Sequence, residues 1–271
     1  MNESELYTDP SKYNTISLTN PLNTSLDVVT FAGNMLQLQG IKVSVLGSNT
    51  PLWSLAYEWW YYIIFLFAGM VCLSSKKIRY IAATATFIII SLLPYKVLLW
   101  GSIWLLGLAA YKWSESQFLR PKPLLAIIIF LIALGISRLS HNTENTLIQE
   151  SVMLEFIRDF ALGVAFSICL ISMRMIKDEF VFYDLHRRLA ELSYTAYLTH
   201  FPLMIFVCAF LAQAYGIPVR QQPDFIGLSY FFSLSFILIA YSFIFWYLTE
   251  RNTKKIRKWM SGFLSKNANA L

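Results

Sequence analysis

Seven long apolar runs, parted by short polar loops, decide what this chain can fold into. A helix rises 1.5 Å per residue, so about 20 apolar residues cross the roughly 30 Å hydrocarbon core of a bilayer. The runs occupy residues 51–73, 78–93, 95–112, 123–139, 154–175, 191–213 and 226–248. Proline punctuates them. Pro51 opens the first run, Pro94 parts the second from the third, and Pro121 and Pro123 precede the fourth. Proline suits a first helical turn, where its missing N–H has no partner to lose. An eighth stretch, 26–47, is only moderately apolar and is interrupted by Asn34, Gln37, Gln39 and Lys42. It reads as an interfacial or poorly inserted helix, or as a span buried inside the bundle. The expected fold class is therefore all-α: a polytopic transmembrane helix bundle of about seven or eight spans.

Composition agrees. Only 14% of residues are charged, against about 25% in soluble domains. Such a chain has too little polar surface to cover a globule in water. Residues 1–25 form a polar lead-in without the basic and apolar regions of a cleavable signal peptide. With no internal repeat and no linker, residues 26–258 read as one transmembrane domain and 259–271 as a tail.

Loop charge gives an orientation. Fourteen basic residues fall on one side: Lys76, Lys77 and Arg79; Lys112, Arg120 and Lys122; Lys177, Arg187 and Arg188; and five from Arg251 to Lys258. Four fall on the other: Lys96, Arg138, Arg158 and Arg220. The positive-inside rule places the richer side, with the C-terminus, in the cytoplasm of a cell inner (plasma) membrane. The basic excess thus reads as a topology signal, and nucleic acid is not an expected partner; the lipid bilayer is. Cys72, Cys169 and Cys208 each lie in an apolar run without metal-ligand spacing. They read as small buried thiols, and no metal site is expected.

Ionisable groups inside a span are costly and are functional candidates by default. Two stand out. Glu58 lies in Pro51-Leu-Trp-Ser-Leu-Ala-Tyr-Glu58, and His200 in Leu192-Ser-Tyr-Thr-Ala-Tyr-Leu-Thr-His200. Glu58 sits roughly 10 Å in from the outer end of its run and His200 roughly 13 Å in from the inner end of its own. Their depths differ by only about 7 Å in a core about 30 Å thick. On neighbouring helices the two would line one polar cavity, with an imidazole base and a carboxylate to orient it. The plain alternative for each is a structural pair or a satisfied interior hydrogen bond. Arg158 with Asp159 reads as an interfacial pair.

These blocks resemble a known family. Asn49-Thr-Pro-Leu-Trp-Ser-Leu-Ala-Tyr-Glu58 resembles the P-x-W-S-L-x-x-E block of the membrane-bound acyltransferase 3 family. The segment from Ser193, Tyr194 and Tyr197 to His200 resembles its late S-Y-x-x-Y-L-x-H helix, and Tyr247-Leu-Thr-Glu250-Arg251 its closing E-R-P stretch. Gly33-to-Gln39 and Gly101-to-Tyr111 fit weaker family features. The resemblance runs from about residue 26 to residue 258.

It implies an O-acyltransferase that moves an acetyl or other short acyl group from acyl-CoA to a hydroxyl of a cell-surface polysaccharide, such as O-antigen or capsule. The glycan would be lipid-linked or exported, acyl-CoA the donor substrate, and no cofactor would stay bound. His200 and Glu58 become the implied catalytic residues. Trp53, Ser54, Ser193, Tyr194, Tyr197, Glu250 and Arg251 become substrate-binding or structural motif residues.

Two departures accompany the resemblance. The family begins with a helix carrying an Arg and then a His, followed by a basic loop, whereas here no His precedes His141 and no Arg precedes Arg79. Asn252 stands where the closing motif has Pro. The expectation is an N-terminally truncated member. A non-catalytic remnant or partner subunit is one alternative; a polysaccharide transporter or polymerase is another, although no inverted repeat of the transporter kind is visible.

Overall fold

The computed structural model describes residues 25–115, 121–142, 152–174, 183–219 and 221–268. Their regular structure is helical apart from one isolated bridge between Gln39 and Val43. Nine α-helices occur among the described residues: α1 Val28–Met35, α2 Trp53–Leu73, α3 Lys76–Leu92, α4 Tyr95–Glu115, α5 Pro123–Asn142, α6 Val152–Met173, α7 Tyr183–Tyr215, α8 Phe225–Leu248 and α9 Thr253–Ala268. Five helical stretches are long and apolar enough to cross a membrane. They correspond to α2, α5, α6, α7 and α8, the last running on into α9. A sixth arises if α3 and α4 are taken together as one broken span, for the chain turns through 119° between them. α3 has 17 residues and begins on Lys76 and Lys77; α4 carries Lys96 and Lys112. Short length and these charges separate that pair from the other five.

Most large apolar side chains are exposed. In the stretch Pro123–Ser140 only 6% of residues are buried. A water-soluble monomer rarely shows so much continuous apolar surface, and a bilayer is the solvent such helices suit. Apolar runs here face outward rather than into a core. That corrects the reading of Cys72, which is exposed, while Cys169 is buried and Cys208 half-buried.

For residues 26–47 the alternative of a span buried inside the bundle is corrected. They hold no long helix. α1 has 8 residues, roughly 12 Å, far too short to span. Asp27 caps it, accepting from the Thr30 N–H at 2.8 Å. The chain then leaves the helix at Gln37 and Gly40, both at positive φ. Asn34 staples the loop, donating to the Ser44 carbonyl at 2.8 Å and accepting from the Leu46 N–H at 3.0 Å. The polar residues that interrupt this stretch are the ones that fold it as a compact loop.

The chain divides into two compact units, Met1–Trp53 with Phe180–Leu271, and Ser54–Glu179. In the second unit α2 and α4 run in the same direction. The Tyr61 hydroxyl donates to the Val97 carbonyl at 2.7 Å, and one turn further on Phe65 packs edge-on against Trp104 with ring centres 5.9 Å apart. α4 and α6 also run together. Lys96 pairs with Glu155 at 3.0 Å near their starts, and Arg174, just beyond α6, donates to the Ser114 hydroxyl at the end of α4. α5, which links them in sequence, packs on α6 through Phe130 against Phe166. In the first unit α7 and α8 are antiparallel. The Thr199 and Ser242 hydroxyls lie 3.2 Å apart, and Asp224 caps α8 by accepting from the Gly227 N–H at 2.7 Å.

Candidate functional site

His200 lies on α7, two residues before Pro202. Its Nδ1 is 2.9 Å from both the Ala196 and Tyr197 carbonyl oxygens. A carbonyl only accepts, so Nδ1 carries the proton. In the tautomer these bonds select, Nε2 is the nitrogen without a proton. The ring is half-buried and lies beside Tyr197, with centres 6.1 Å apart.

Pro202 shapes the backbone here. It has no N–H, so the carbonyl of Leu198, four residues earlier, loses its helical partner. The Asn49 side-chain amide fills that place, donating to Leu198 O at 2.8 Å. The Tyr197 hydroxyl answers by donating to the Pro51 carbonyl. The loop that opens the first motif is thus stapled to the helix that carries the second, on both sides of a residue pair next to His200.

Behind that loop, Gly40 and Trp53 make a close approach. Gly40 has φ +69°, and a Cβ there would come within 2.6 Å of the Trp53 Cβ. Gln39 is buried and donates to the Leu52 carbonyl at 3.3 Å. Trp53 itself is partly exposed, and Ser54 is half-buried.

The third motif joins from α8. Glu250 sits on a 3-10 turn, Glu250–Asn252, just past α8. Its carboxylate accepts from the buried Thr195 hydroxyl at 2.5 Å. Arg251 lies over the Tyr247 ring, 4.7 Å from its centre. Thus α7 touches the first motif through Tyr197 and Leu198 and the third through Thr195.

Ser193 and Tyr194 are exposed, and the Ser193 hydroxyl donates to the Ala190 carbonyl at 2.7 Å. Glu58 belongs to the second unit, is exposed, and accepts from the Tyr62 hydroxyl at 2.8 Å. Arg158 and Asp159 do pair, at 3.9 Å, and Asp159 also accepts from the Trp100 indole at 3.1 Å. Among the described residues no cluster of three metal-ligating side chains occurs.

Sequence reasoning gave no role to Asn49 or Thr195. One signal pointed to Asn49. Pro202 inside a span leaves a carbonyl that something must satisfy, and a free amide stood in the adjoining motif. No family model, no curated protein and no solved structure matches the chain.

Proposed function

We propose that the chain is a multi-pass membrane O-acyltransferase resembling the acyltransferase 3 family, transferring a short acyl group from acyl-CoA to a hydroxyl of a cell-surface polysaccharide. The observation that carries this reading is the convergence of three motif blocks on α7 beside a histidine whose Nδ1 is committed to the backbone. A fixed tautomer is what a general base needs. His200 Nε2 takes the proton of the acceptor hydroxyl as its oxygen attacks the thioester carbonyl. The C–S bond breaks, the new ester stays on the sugar, and the thiolate leaves to recover a proton as the free thiol. Glu58, an ionisable group in an apolar run, is the second proposed catalytic residue.

The proposed topology has seven crossings, α2 to α8. Helices α2 and α4 run in the same direction, so the chain must return between them, and α3 is the segment available. From α4 onward the proposed topology puts twelve cations on the side of the C-terminus, from Lys112 to Lys258 with Arg174 among them, and Arg138, Arg158 and Arg220 on the other. That bias favours a cytoplasmic C-terminus in an inner membrane.

The test is ester analysis of the surface glycan with and without the gene. Loss of acyl esters at normal chain length supports the transferase. Loss of the polymer itself would assign the chain to transport or polymerisation instead.

A further inference from the structure

A groove of about 1180 Å³ runs between the start of α7 and the second half of α8. One wall is apolar, with Phe236, Ile239, Phe243 and Trp246 of α8 along it. From Phe236 to Trp246 is ten residues, roughly 15 Å of helix. That is the depth of one leaflet, half of the roughly 30 Å hydrocarbon core. Phe236 lies near the middle of α8 and Trp246 near its end. The groove therefore extends from mid-membrane to one headgroup layer.

Its outer end is charged. Arg187, Arg188 and Arg251 line it, together with Asp184, Glu191 and Glu250. The three anions balance the three cations in formal charge, but among the described residues only one ion pair forms between them. Arg187 pairs with Glu191 at 3.3 Å. Glu250 is engaged by Thr195 at 2.5 Å. Asp184 lies in the first turn of α7, where the helix dipole favours an acid. Arg188 and Arg251 have no ion pair among the described residues, and Arg251 is held over Tyr247.

We propose that this groove is a binding site for an anionic phospholipid, whose phosphate is taken by Arg188 and Arg251 and whose acyl chain lies along Phe236, Ile239 and Phe243. Basic pockets between spans hold anionic headgroups by this combination of charge and hydrocarbon depth. A soluble phosphate would use the arginines but leave the apolar wall unfilled. A neutral lipid would use the wall but not the arginines. The inference rests on the groove alone and does not depend on the transferase reading.

The full chain is reconstituted in nanodiscs of equimolar phosphatidylglycerol and phosphatidylcholine, released, and weighed by native mass spectrometry. The wild type is expected to keep phosphatidylglycerol in at least about tenfold preference, the scale of one charged hydrogen bond. Arg188→Gln with Arg251→Gln should erase that preference. Ala240→Trp, which fills the groove without changing charge, should expel the lipid altogether. Wild-type binding without headgroup preference would overturn the proposal, as would a preference that survives both arginine substitutions. Displacement of the lipid by inorganic phosphate or by soluble coenzyme A would overturn it too. Circular dichroism of each variant separates lost binding from lost fold.

Discussion

The side-chain amide of Asn49 donates to the carbonyl oxygen of Leu198 at 2.8 Å, an oxygen left open because Pro202 cannot donate to it. Proline in a membrane helix is tolerated where another group satisfies the freed carbonyl. Here that group comes from 149 residues away in sequence, so one proline fixes where the first motif docks. Asn49→Ala should cost about 1–3 kcal/mol, the penalty of an unsatisfied polar group. Pro202→Ala restores a backbone N–H, and the double variant should recover most of the loss. Denaturant unfolding in micelles measures both.

The loop behind Trp53 offers a controlled comparison. Gly40 and Gly47 both have positive φ, +69° and +63°, but an added Cβ would crowd Trp53 only at Gly40 and meets nothing within 4 Å at Gly47. Gly47→Ala should cost about 1–2 kcal/mol for its backbone conformation alone. Gly40→Ala should cost clearly more. Equal losses would mean that the Gly40–Trp53 approach does not constrain the loop.

Thr195 is buried and donates to Glu250 at 2.5 Å. Thr195→Val keeps the shape and deletes the donor, and should lower stability by about 1.5–3 kcal/mol, as expected for a hydrogen bond to a charged group. Glu250→Gln keeps an acceptor and should lose less. The pair of unfolding curves decides between a charge-assisted bond and mere packing.

Lys77 and Lys122 test the path of the chain. In a Cys72, Cys169 and Cys208→Ser background, Lys77→Cys and Lys122→Cys should react with a membrane-impermeant maleimide from the same side. That follows from the proposed topology, in which α3 and α4 cross separately and α2 and α4 run in the same direction. One broken span would put the two cysteines on opposite sides.

Most helices were readable because hydrocarbon asks for little beyond length and apolarity. The runs 123–139 and 226–248 became Pro123–Asn142 and Phe225–Leu248. The start of α7 was not readable that way, since Asp184 to Arg188 is polar and becomes helix outside the apolar run. Residues 259–268, the later part of α9, were passed over as tail for the same reason. In 26–47 average apolarity hides the positive-φ positions Gln37 and Gly40, beyond which the short helix that Asp27 opens does not extend.

The candidate site divides similarly. His200 stood out as an ionisable group in a span. Its neighbours Asn49 and Thr195 are neutral residues whose importance lies in long-range hydrogen bonds, and no local pattern encodes those. The pairing of His200 with Glu58 came from depth alone, and it now carries its own test in the paired substitutions that follow.

Acyl esters on the surface glycan are the direct readout of the central claim. They are quantified in cells whose only copy of the gene encodes wild type, His200→Ala or Glu58→Gln, with membrane levels matched by immunoblot. General acid–base catalysis contributes roughly 10²–10⁴-fold. His200→Ala should therefore reduce acylation to background while the protein stays in the membrane, and Glu58→Gln should reduce it strongly. Acylation at wild-type levels in His200→Ala would contradict the account.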